Sequence, residues 1–354
     1  MPILTSESVE QTVRECLRVG VPFAVYRRKG SADVYLFADD GVSALLSDVR
    51  FFASPWDGGA KTVISDRLSV VDMRAMATKT MAPRQEAIEP STPRDAYVAL
   101  LNKLIGHLQE NGGKTVISRV ISRECSVDVA SAAALCFERR RDATCCICTD
   151  AVGDVWLIAS PELLVDVDYQ TSNAETMSLA GTRPADCVGA WDAKNIEEHD
   201  IVTRYIAERM GHLGTDVVVS DDFTHNSATV SHLCSTITAK LRVGVGGADV
   251  AAYLSPTPAV CGVPVEDARS WIREIEQHPR RLYAGYFGIE SAGHTFEAWV
   301  TLRCARVWSD GYCIYSGSGI TADSVAEDEW AETAIKAGPL VDIFDNITED
   351  RNKQ

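Results

Sequence analysis

Residues 315–336 read YSGSGITADSVAEDEWAETAIK, a short β-type run that meets glycines and serines and then continues with helical character. This pattern predicts a small-residue loop at Gly317-Ser-Gly319 and a helix after it. Asp323 or Ser324 can cap that helix, because a short polar side chain accepts hydrogen bonds from free backbone N–H groups.

Three charged residues of this predicted helix, Glu329, Glu332 and Lys336, follow one another at spacings of three and four. Such spacing puts them on one face about one turn apart. Two carboxylates and a cation beside free backbone amides suit a metal ion together with an anionic ligand. Solvated helix faces often carry the same spacing, so this stretch by itself leaves both interpretations open.

The chain has 354 residues and a formal net charge of −16, with 46% hydrophobic and 24% charged residues. This composition is ordinary for a globular protein, and the length allows one domain or two. The negative charge argues against nucleic acid as a partner, because phosphates need a basic surface. The same field repels a small anion, so any anion site must carry arginine, lysine or a bound cation locally.

No apolar run reaches the ~18 residues that a membrane span needs, and the N-terminal sequence lacks the basic and apolar blocks of a signal peptide. We therefore expect a cytoplasmic protein with no membrane partner. The eleven cysteines are scattered, mostly among apolar residues, and form no paired CxxC motif. Reduced, buried thiols are the expectation, rather than a zinc site.

Strand and helix patterns are mixed along the chain without regular βαβ alternation, which favours the α+β class with antiparallel sheets. The clearest helix patterns are Asp95–Glu110 and Lys194–Met210, and the clearest late strands are Arg281–Gly288, Thr295–Ala305 and Tyr312–Ser316.

Four charged residues outside the opening stretch are candidates for chemistry. Lys114 opens a strand behind two glycines, where a solvated edge lysine is the ordinary interpretation. Glu162 directly follows a buried-looking strand, and burial would raise its pKa toward that of a general acid. Glu198, near the start of a helix, is either a ligand for a hard cation or a carboxylate favoured by the helix dipole. Arg303 lies in an apolar strand pattern and calls for a carboxylate partner.

Ten short segments follow one another in an order typical of a known family, and this order is far more specific than any one of them. They are Lys114–Arg119, Ser160–Leu164, Ser178–Arg183, Glu198-His199, Ser231–Leu233, Pro256–Gly262, Leu282–Gly285, Leu302–Ala305, Ser316–Ile320 and Glu329–Lys336.

Together these segments resemble the chorismate-utilising enzymes, which include anthranilate synthase component I, aminodeoxychorismate synthase, salicylate synthase and isochorismate synthase. The resemblance implies an α+β fold of large antiparallel sheets in a sandwich with helices on the outside. It also implies Mg²⁺ as cofactor and chorismate, a dianion, as substrate. An acidic protein can hold such a dianion when a cation bridges its carboxylates to one end and an arginine holds the other.

The resemblance also implies roles for individual residues. Lys114 is implied as the general base and Glu162 as the general acid. Glu198 and Glu332 are implied as metal ligands, with Glu329 at or near the metal. The substrate-binding residues that it implies are Gly181, Thr182, His232, Ala259, Tyr283, Leu302, Arg303, Gly317 and Lys336. For His232, a core histidine on a strand remains an equal alternative.

Lys114 and Ala180 indicate the branch within the family. Amine-transferring members lack a lysine at the position of Lys114, and aminodeoxychorismate synthases carry a lysine in place of Ala180. In water-using members, the lysine activates water to attack C2 of the ring while the glutamate at Glu162 protonates the departing C4 hydroxyl. We therefore expect a water-using enzyme with no glutaminase subunit.

Isochorismate synthase and salicylate synthase remain as the water-using alternatives. The run Pro256–Val260, with Ala259, resembles the isochorismate-forming members, whereas Tyr283 and Leu302 also occur in salicylate synthases. We expect an isochorismate synthase, with salicylate synthase or a non-catalytic chorismate-binding protein as alternatives. Whether the product enters menaquinone, catechol siderophore or salicylate biosynthesis is open.

We expect one chorismate-binding domain over residues 1–354. Within it, residues 1–95 form a divergent N-terminal part, residues 96–340 the catalytic core, and residues 341–354 a polar tail. A monomer is expected, since no pattern indicates a dimer helix.

Overall fold

The computed structural model describes residues 8–39, 47–79, 87–227 and 230–352. These residues form eight helices and two large antiparallel sheets, which confirms the predicted α+β class. The helices are α1 (Val9–Val19), α2 (Val70–Ala75), α3 (Arg94–Asn111), α4 (Val129–Arg139), α5 (Ala193–Leu213), α6 (Gly247–Leu254), α7 (Val265–Ile275) and α8 (Ala326–Asn352).

The strands of the described chain alternate irregularly with these helices. They are β1 (Phe23–Arg27), β2 (Tyr35–Ala38), β3 (Val49–Ser54), β4 (Thr62–Ser65), β5 (Lys114–Glu124), β6 (Thr144–Thr149), β7 (Val155–Ser160), β8 (Leu163–Asp168), β9 (Asn173–Pro184), β10 (Gly214–Val219), β11 (Phe223–Ser227), β12 (Val230–Leu241), β13 (Gly262–Val263), β14 (Tyr286–Ser291), β15 (Thr295–Val300), β16 (Cys304–Trp308) and β17 (Gly311–Ile320).

In the first sheet the strand order is β13-β5-β17-β16-β7-β6-β1-β2. In the second it is β10-β12-β9-β8-β15-β14-β3-β4, with β11 also paired to β12. Distant parts of the chain therefore become neighbours: β5 pairs with β17, and β9 pairs with β12.

Side chains of β7 show how the two sheets pack. Trp156 and Ile158 belong to a core shared with Phe287 of the second sheet, whereas Leu157 belongs to a core shared with Ile343 of α8. Because successive side chains of a strand point to opposite faces, β7 is buried on both sides. This explains its continuous apolar run, and it confirms the predicted sandwich with helices outside.

Helix α8 extends much further than the sequence pattern indicated. It continues to Asn352, with Ile343 and Phe344 buried, and Phe344 stacks on Tyr312 at 4.1 Å between ring centroids. The prediction of a polar tail from residue 341 is therefore wrong for the described residues, because intervening charged residues concealed an apolar face at helical spacing. The division into one domain stays a prediction.

Two features of the described chain bear on the expectations about cysteine and membranes. Nine of the eleven cysteines are buried, and all eleven are free thiols, as predicted. Among the described residues, no helix combines the length and apolar character needed to cross a membrane.

Candidate active site

One cavity brings together residues from both sheets, from α5 and from α8. It is lined by twelve of the predicted site residues: Lys114, Glu162, Gly181, Thr182, Glu198, His232, Ala259, Tyr283, Leu302, Arg303, Gly317 and Lys336. Glu329 and Glu332 do not line it, but they lie on α8 just before Lys336.

Glu162 reaches the cavity from the turn between β7 and β8, and only 3% of it is exposed. Burial raises its pKa to about 8, although the charges of Lys114 and Lys336 oppose that shift. A carboxyl group with this pKa is largely protonated near neutral pH, and it can donate a proton to a leaving group.

Lys114 lies at the start of β5 with its side chain 1% exposed, so it is not a solvated edge lysine. Its Nζ lies 2.8 Å from Oε1 of Glu198. Burial opposes ionisation of Glu198, but Lys114, followed by Lys336 and Lys194, holds its pKa below the usual value. Glu198 is therefore an anion, and Lys114 is its contacting counter-charge.

Each of the three predicted metal ligands contacts a lysine. Beside the Glu198–Lys114 pair, Oε1 of Glu329 lies 3.3 Å from Nζ of Lys194, and Oε1 of Glu332 lies 2.6 Å from Nζ of Lys336. The pKa of Glu329 is raised, first by burial and then by the charges of Glu332 and Glu198.

These three carboxylates are thus electrostatic neighbours, and carboxylate oxygens suit a hard divalent cation. The side chains as they lie do not form a ready-made ligand cluster. In the part of the chain that the structure describes, no group of three or more His, Cys, Asp or Glu residues is arranged to hold a metal ion.

Arg303 lies in the turn between β15 and β16, with a φ of 48°. The expectation of an unbroken strand across it is wrong, because β15 ends at Val300. Its Nη1 donates to the carbonyl of Lys336 at 2.9 Å. Burial, followed by the charge of Arg140, lowers the pKa of Arg303 to about 10, and the residue also lines the cavity. A cation buried in this way favours an anionic ligand.

Gly317 lies within β17 and not in the predicted loop. Strand β16 begins only at Cys304, opposite Tyr315, so the following residues of β17 pair with β5 alone. Opposite Gly317, the N–H of Ser118 points away from β17 and donates to Glu276.

The Gly317–Ser118 pair is consequently not hydrogen-bonded, and the N–H and carbonyl of Gly317 both face away from β5. Nζ of Lys336 donates to that carbonyl at 3.2 Å. The adjacent N–H has the direction that an anion-binding role would need.

His232 on β12 has its Nδ1 3.1 Å from the carbonyl oxygen of Gly181 and 3.2 Å from Oγ1 of Thr182. Because a carbonyl only accepts, Nδ1 carries the proton and Nε2 is left as an acceptor. Burial, then Lys336 and Arg303, holds the pKa of His232 far below its usual range. The ring is therefore neutral, which suits accepting a hydrogen bond from a ligand.

Gly181 lies within β9, at the point where its register with β12 shifts between His232 and Leu233. The N–H of Thr182 donates to Oδ1 of Asn195 at 2.9 Å, so this amide is already occupied. Gly181 has a φ of 73°, and a Cβ there would lie 2.9 Å from the Asn195 carbonyl oxygen. Glycine is required here because α5 packs directly against the strand.

Sequence reasoning missed Gly319 and Lys194. A Cβ on Gly319 would lie 2.7 Å from Oε1 of Glu198 and 2.8 Å from Cε of Lys114. Two glycines two residues apart on one strand indicate a face on which other groups pack closely, and that signal was available at Gly317 and Gly319.

Among known proteins, the chain is similar to isochorismate synthases and to anthranilate synthase component 1. Isochorismate synthase EntC of Escherichia coli is 29% identical over 203 residues, which are 55% of this chain and 52% of that protein. Anthranilate synthase component 1 of Neisseria meningitidis is 27% identical over 219 residues, 57% of this chain and 43% of that protein. The chain thus spans about half the length of these curated relatives.

A solved structure confirms the fold. The menaquinone-specific isochorismate synthase MenF of Escherichia coli superposes with a TM-score of 0.79 and 19% identity, covering 96% of this chain and 92% of that one. A family model described as chorismate binding enzyme matches residues 52–342, most of the sequence. The chain therefore belongs to the chorismate binding enzyme family.

Proposed function

We propose that this protein is an isochorismate synthase, which isomerises chorismate by adding water at C2 and removing the C4 hydroxyl. The observation that carries the proposal is a buried lysine and a buried carboxyl group with a raised pKa, Lys114 and Glu162, on the lining of one cavity. A protein that only bound chorismate would need neither group. The relatives named isochorismate synthase support the same choice.

In the proposed reaction, Lys114 takes a proton from the attacking water, and Glu162 gives a proton to the C4 hydroxyl, which leaves as water. One water enters and one leaves, so substrate and product are isomers. Lys114 takes this proton as the neutral amine, and its Nζ lies 2.8 Å from Oε1 of Glu198.

We assign binding of the dianion to the part of the cavity that Arg303 and Lys336 line. The two carboxylates would be bound by Arg303, Tyr283, Lys336 and the N–H of Gly317. Local groups of this kind are needed because a protein with a net charge of −16 does not attract an anion at long range. The ring would lie against Gly181 and Thr182 of β9, with neutral His232 orienting it and with Ala259 and Leu302 shaping its pocket.

Mg²⁺ is the proposed cofactor, held by Glu198, Glu332 and Glu329. When bound, it would supply positive charge for a substrate carboxylate. Mn²⁺ can replace it as a spectroscopic probe: electron paramagnetic resonance should show binding to the wild type and at least tenfold weaker binding to Glu332→Gln. Glu327→Gln, on the same helix and paired with Arg94, is the control and should bind normally.

Salicylate synthase is the second candidate, because Tyr283 and Leu302 also fit enzymes that remove pyruvate from isochorismate in the same site. A monomeric cytoplasmic enzyme without a glutaminase subunit belongs to the same proposal.

The deciding experiment incubates the purified protein with chorismate and Mg²⁺, separates the products by chromatography and follows salicylate fluorescence. A mixture of chorismate and isochorismate without salicylate supports the proposal. Rapid formation of salicylate and pyruvate supports the second candidate. Anthranilate formed with added ammonium would contradict the water-using assignment, and binding without conversion would leave a chorismate-binding protein.

A further inference from the structure

A buried ion pair lies directly behind the cavity wall. Nε of Arg280 lies 2.8 Å from Oε2 of Glu276, and its Nη2 lies 2.6 Å from Oε1. The two side chains are 1% and 2% exposed. Neither is among the residues that line the cavity, so the proposed reaction makes no direct use of them.

The pair is bonded to the backbone of two cavity walls. Nη1 of Arg280 donates to the carbonyl of Val260, and Nη2 donates to the carbonyl of Val116, both at 2.7 Å. Oε1 of Glu276 accepts from the N–H of Ser118 at 2.7 Å and from its hydroxyl at 2.8 Å. Val116 and Val260 both line the cavity. The first lies two residues after Lys114 on β5, and the second follows Ala259.

A third wall is reached through aromatic contacts. The Arg280 guanidinium lies 5.7 Å from the ring centroid of Tyr283 and 4.5 Å from that of Trp56. The Tyr283 ring also stacks on Tyr315 at 5.8 Å, and its hydroxyl lies 2.6 Å from where a Cβ of Gly317 would be. The Arg280 side chain thus borders the Tyr283 ring, whose hydroxyl lies next to Gly317 in the cavity wall.

Stability alone is a poor reason for such a pair. Removing two charges from water carries a desolvation cost that their attraction often fails to exceed, and apolar residues of the same volume can serve the core as well. A planar guanidinium with donors in a fixed fork supplies geometry instead. Here that fork joins the strand of Lys114, the segment of Ala259 and the ring of Tyr283.

We propose that Glu276 and Arg280 are positioning residues for this active site: they hold the Lys114 strand, the Val260 segment and Tyr283 in one mutual geometry. The kinetic effects of substituting either residue rest on the proposed isochorismate synthase function. The structural effect, a less ordered backbone confined to these cavity walls, does not rest on it.

Arg280→Lys tests the inference, because it keeps the charge and loses the fork. The matched control is Arg27→Lys, since Arg27 is also 1% exposed, also donates to two backbone carbonyls, those of Phe137 and Arg140, and is not among the residues that line the cavity. Both variants should lower the melting temperature. Only Arg280→Lys should lower kcat/KM strongly, by about 100-fold, the loss expected from ~1 Å of misplacement.

The loss in Arg280→Lys should appear in both constants, in kcat through Lys114 and in KM for chorismate through Tyr283. Equal kinetic effects of the two substitutions at matched stability would overturn the inference, because a merely structural role predicts that result.

Hydrogen exchange provides the readout that does not need activity. Amides of residues 114–118 and 259–261 should exchange faster in Arg280→Lys and not in Arg27→Lys. If the wild type converts no chorismate, the proposed function fails while this comparison still decides the positioning role. Equally faster exchange in both variants would overturn the inference.

Should Arg280→Lys fail to fold, Glu276→Gln gives the same comparison, since it keeps the oxygen that accepts from Ser118 and removes the charge.

Discussion

The cavity has two acidic walls that respond to burial in opposite ways. Glu162, at the turn after β7, has a pKa raised to about 8, with desolvation as the largest cause. Glu198, on α5, has only 14% of its side chain exposed, but its pKa is lowered because Lys114 lies 2.8 Å away and Lys336 and Lys194 add to the effect.

The difference teaches that burial alone makes a carboxyl group neutral, and that a lysine in contact reverses the outcome. One small cavity can therefore hold a proton donor and an anion at the same time. The protonation states of Glu162 and Glu198 depend on which of them a lysine contacts. Removing a single lysine should therefore change both turnover and the difference in pKa between the two carboxyl groups.

The largest effect is expected from Lys114→Ala, which removes the base and the counter-charge of Glu198 together. Turnover should fall by at least about 10²–10⁴-fold, the usual contribution of a general base, while Mg²⁺-dependent chorismate binding remains. Steady-state kinetics and calorimetry measure the two quantities. Lys103→Ala, which removes a lysine from the exposed pair with Glu274, is the control. Retained turnover in Lys114→Ala would exclude its role as base.

Glu162→Gln should have the next largest effect, because it removes the proton donor and keeps the shape of the wall. We expect turnover to fall by about 100-fold or more, with little change in KM. The same substitution at exposed Glu175 on β9 is the control. A Glu162→Gln variant with normal kcat would show that another group protonates the leaving hydroxyl.

The pH dependence sharpens the comparison of the walls. Because the acid form of Glu162 is needed, kcat should decrease as pH rises through about 8, and Glu162→Gln should lack that decrease. Stability should follow the same group. The pKa of Glu162 in the folded protein lies above its ordinary value of 4.5, so between pH 4.5 and about 8 the native state binds more protons than the unfolded state. The stability that this group contributes below pH 4.5 is therefore lost as pH rises through about 8.

Melting temperatures at pH 6 and pH 9 measure this loss of stability. The wild type should lose more on going to pH 9 than Glu162→Gln does. Equal losses in the two proteins would mean that Glu162 is already ionised in the folded state.

Gly319→Ala should have the smallest effect. Its Cβ would displace the ends of the Lys114 and Glu198 side chains, which are flexible, so turnover should fall by only about tenfold. Thermal unfolding should change little. Gly106→Ala in α3, where a Cβ would meet no atom within 4 Å, is the control and should stabilise the helix by about 0.5–1 kcal/mol. Unchanged turnover in Gly319→Ala would show that the Lys114 and Glu198 side chains can make room for the added methyl group without loss of function.

Much of the candidate site could be predicted, because its residues belong to short segments with a recognisable order. Glu162 and Arg303 were singled out by an unusual setting for a charge and Lys114 by the family resemblance, and the structure places all three on one cavity. Gly319 and Lys194 were missed because their importance lies in what packs against them. Arg303 was placed within a strand because the local pattern is apolar, whereas the chain turns there.

The structure also revised elements whose local pattern was ambiguous. Gly317 and Gly319 look like loop residues, yet pairing with β5 holds them in a strand. Residues after Leu340 look polar, yet packing against Tyr312 and its neighbours keeps them helical. In each case a contact with a distant segment overrode a weak local preference.

Residue types and their order were enough to indicate the α+β class, the resemblance to chorismate-utilising enzymes and the need for a local cation in an acidic chain. These properties follow from local periodicity, composition and motif order. The protonation of Glu162, the contact of Lys114 with Glu198 and the backbone bonds of Arg280 were decided only by the tertiary structure. Burial and charge–charge distance set them, and both arise when segments far apart in sequence are packed together.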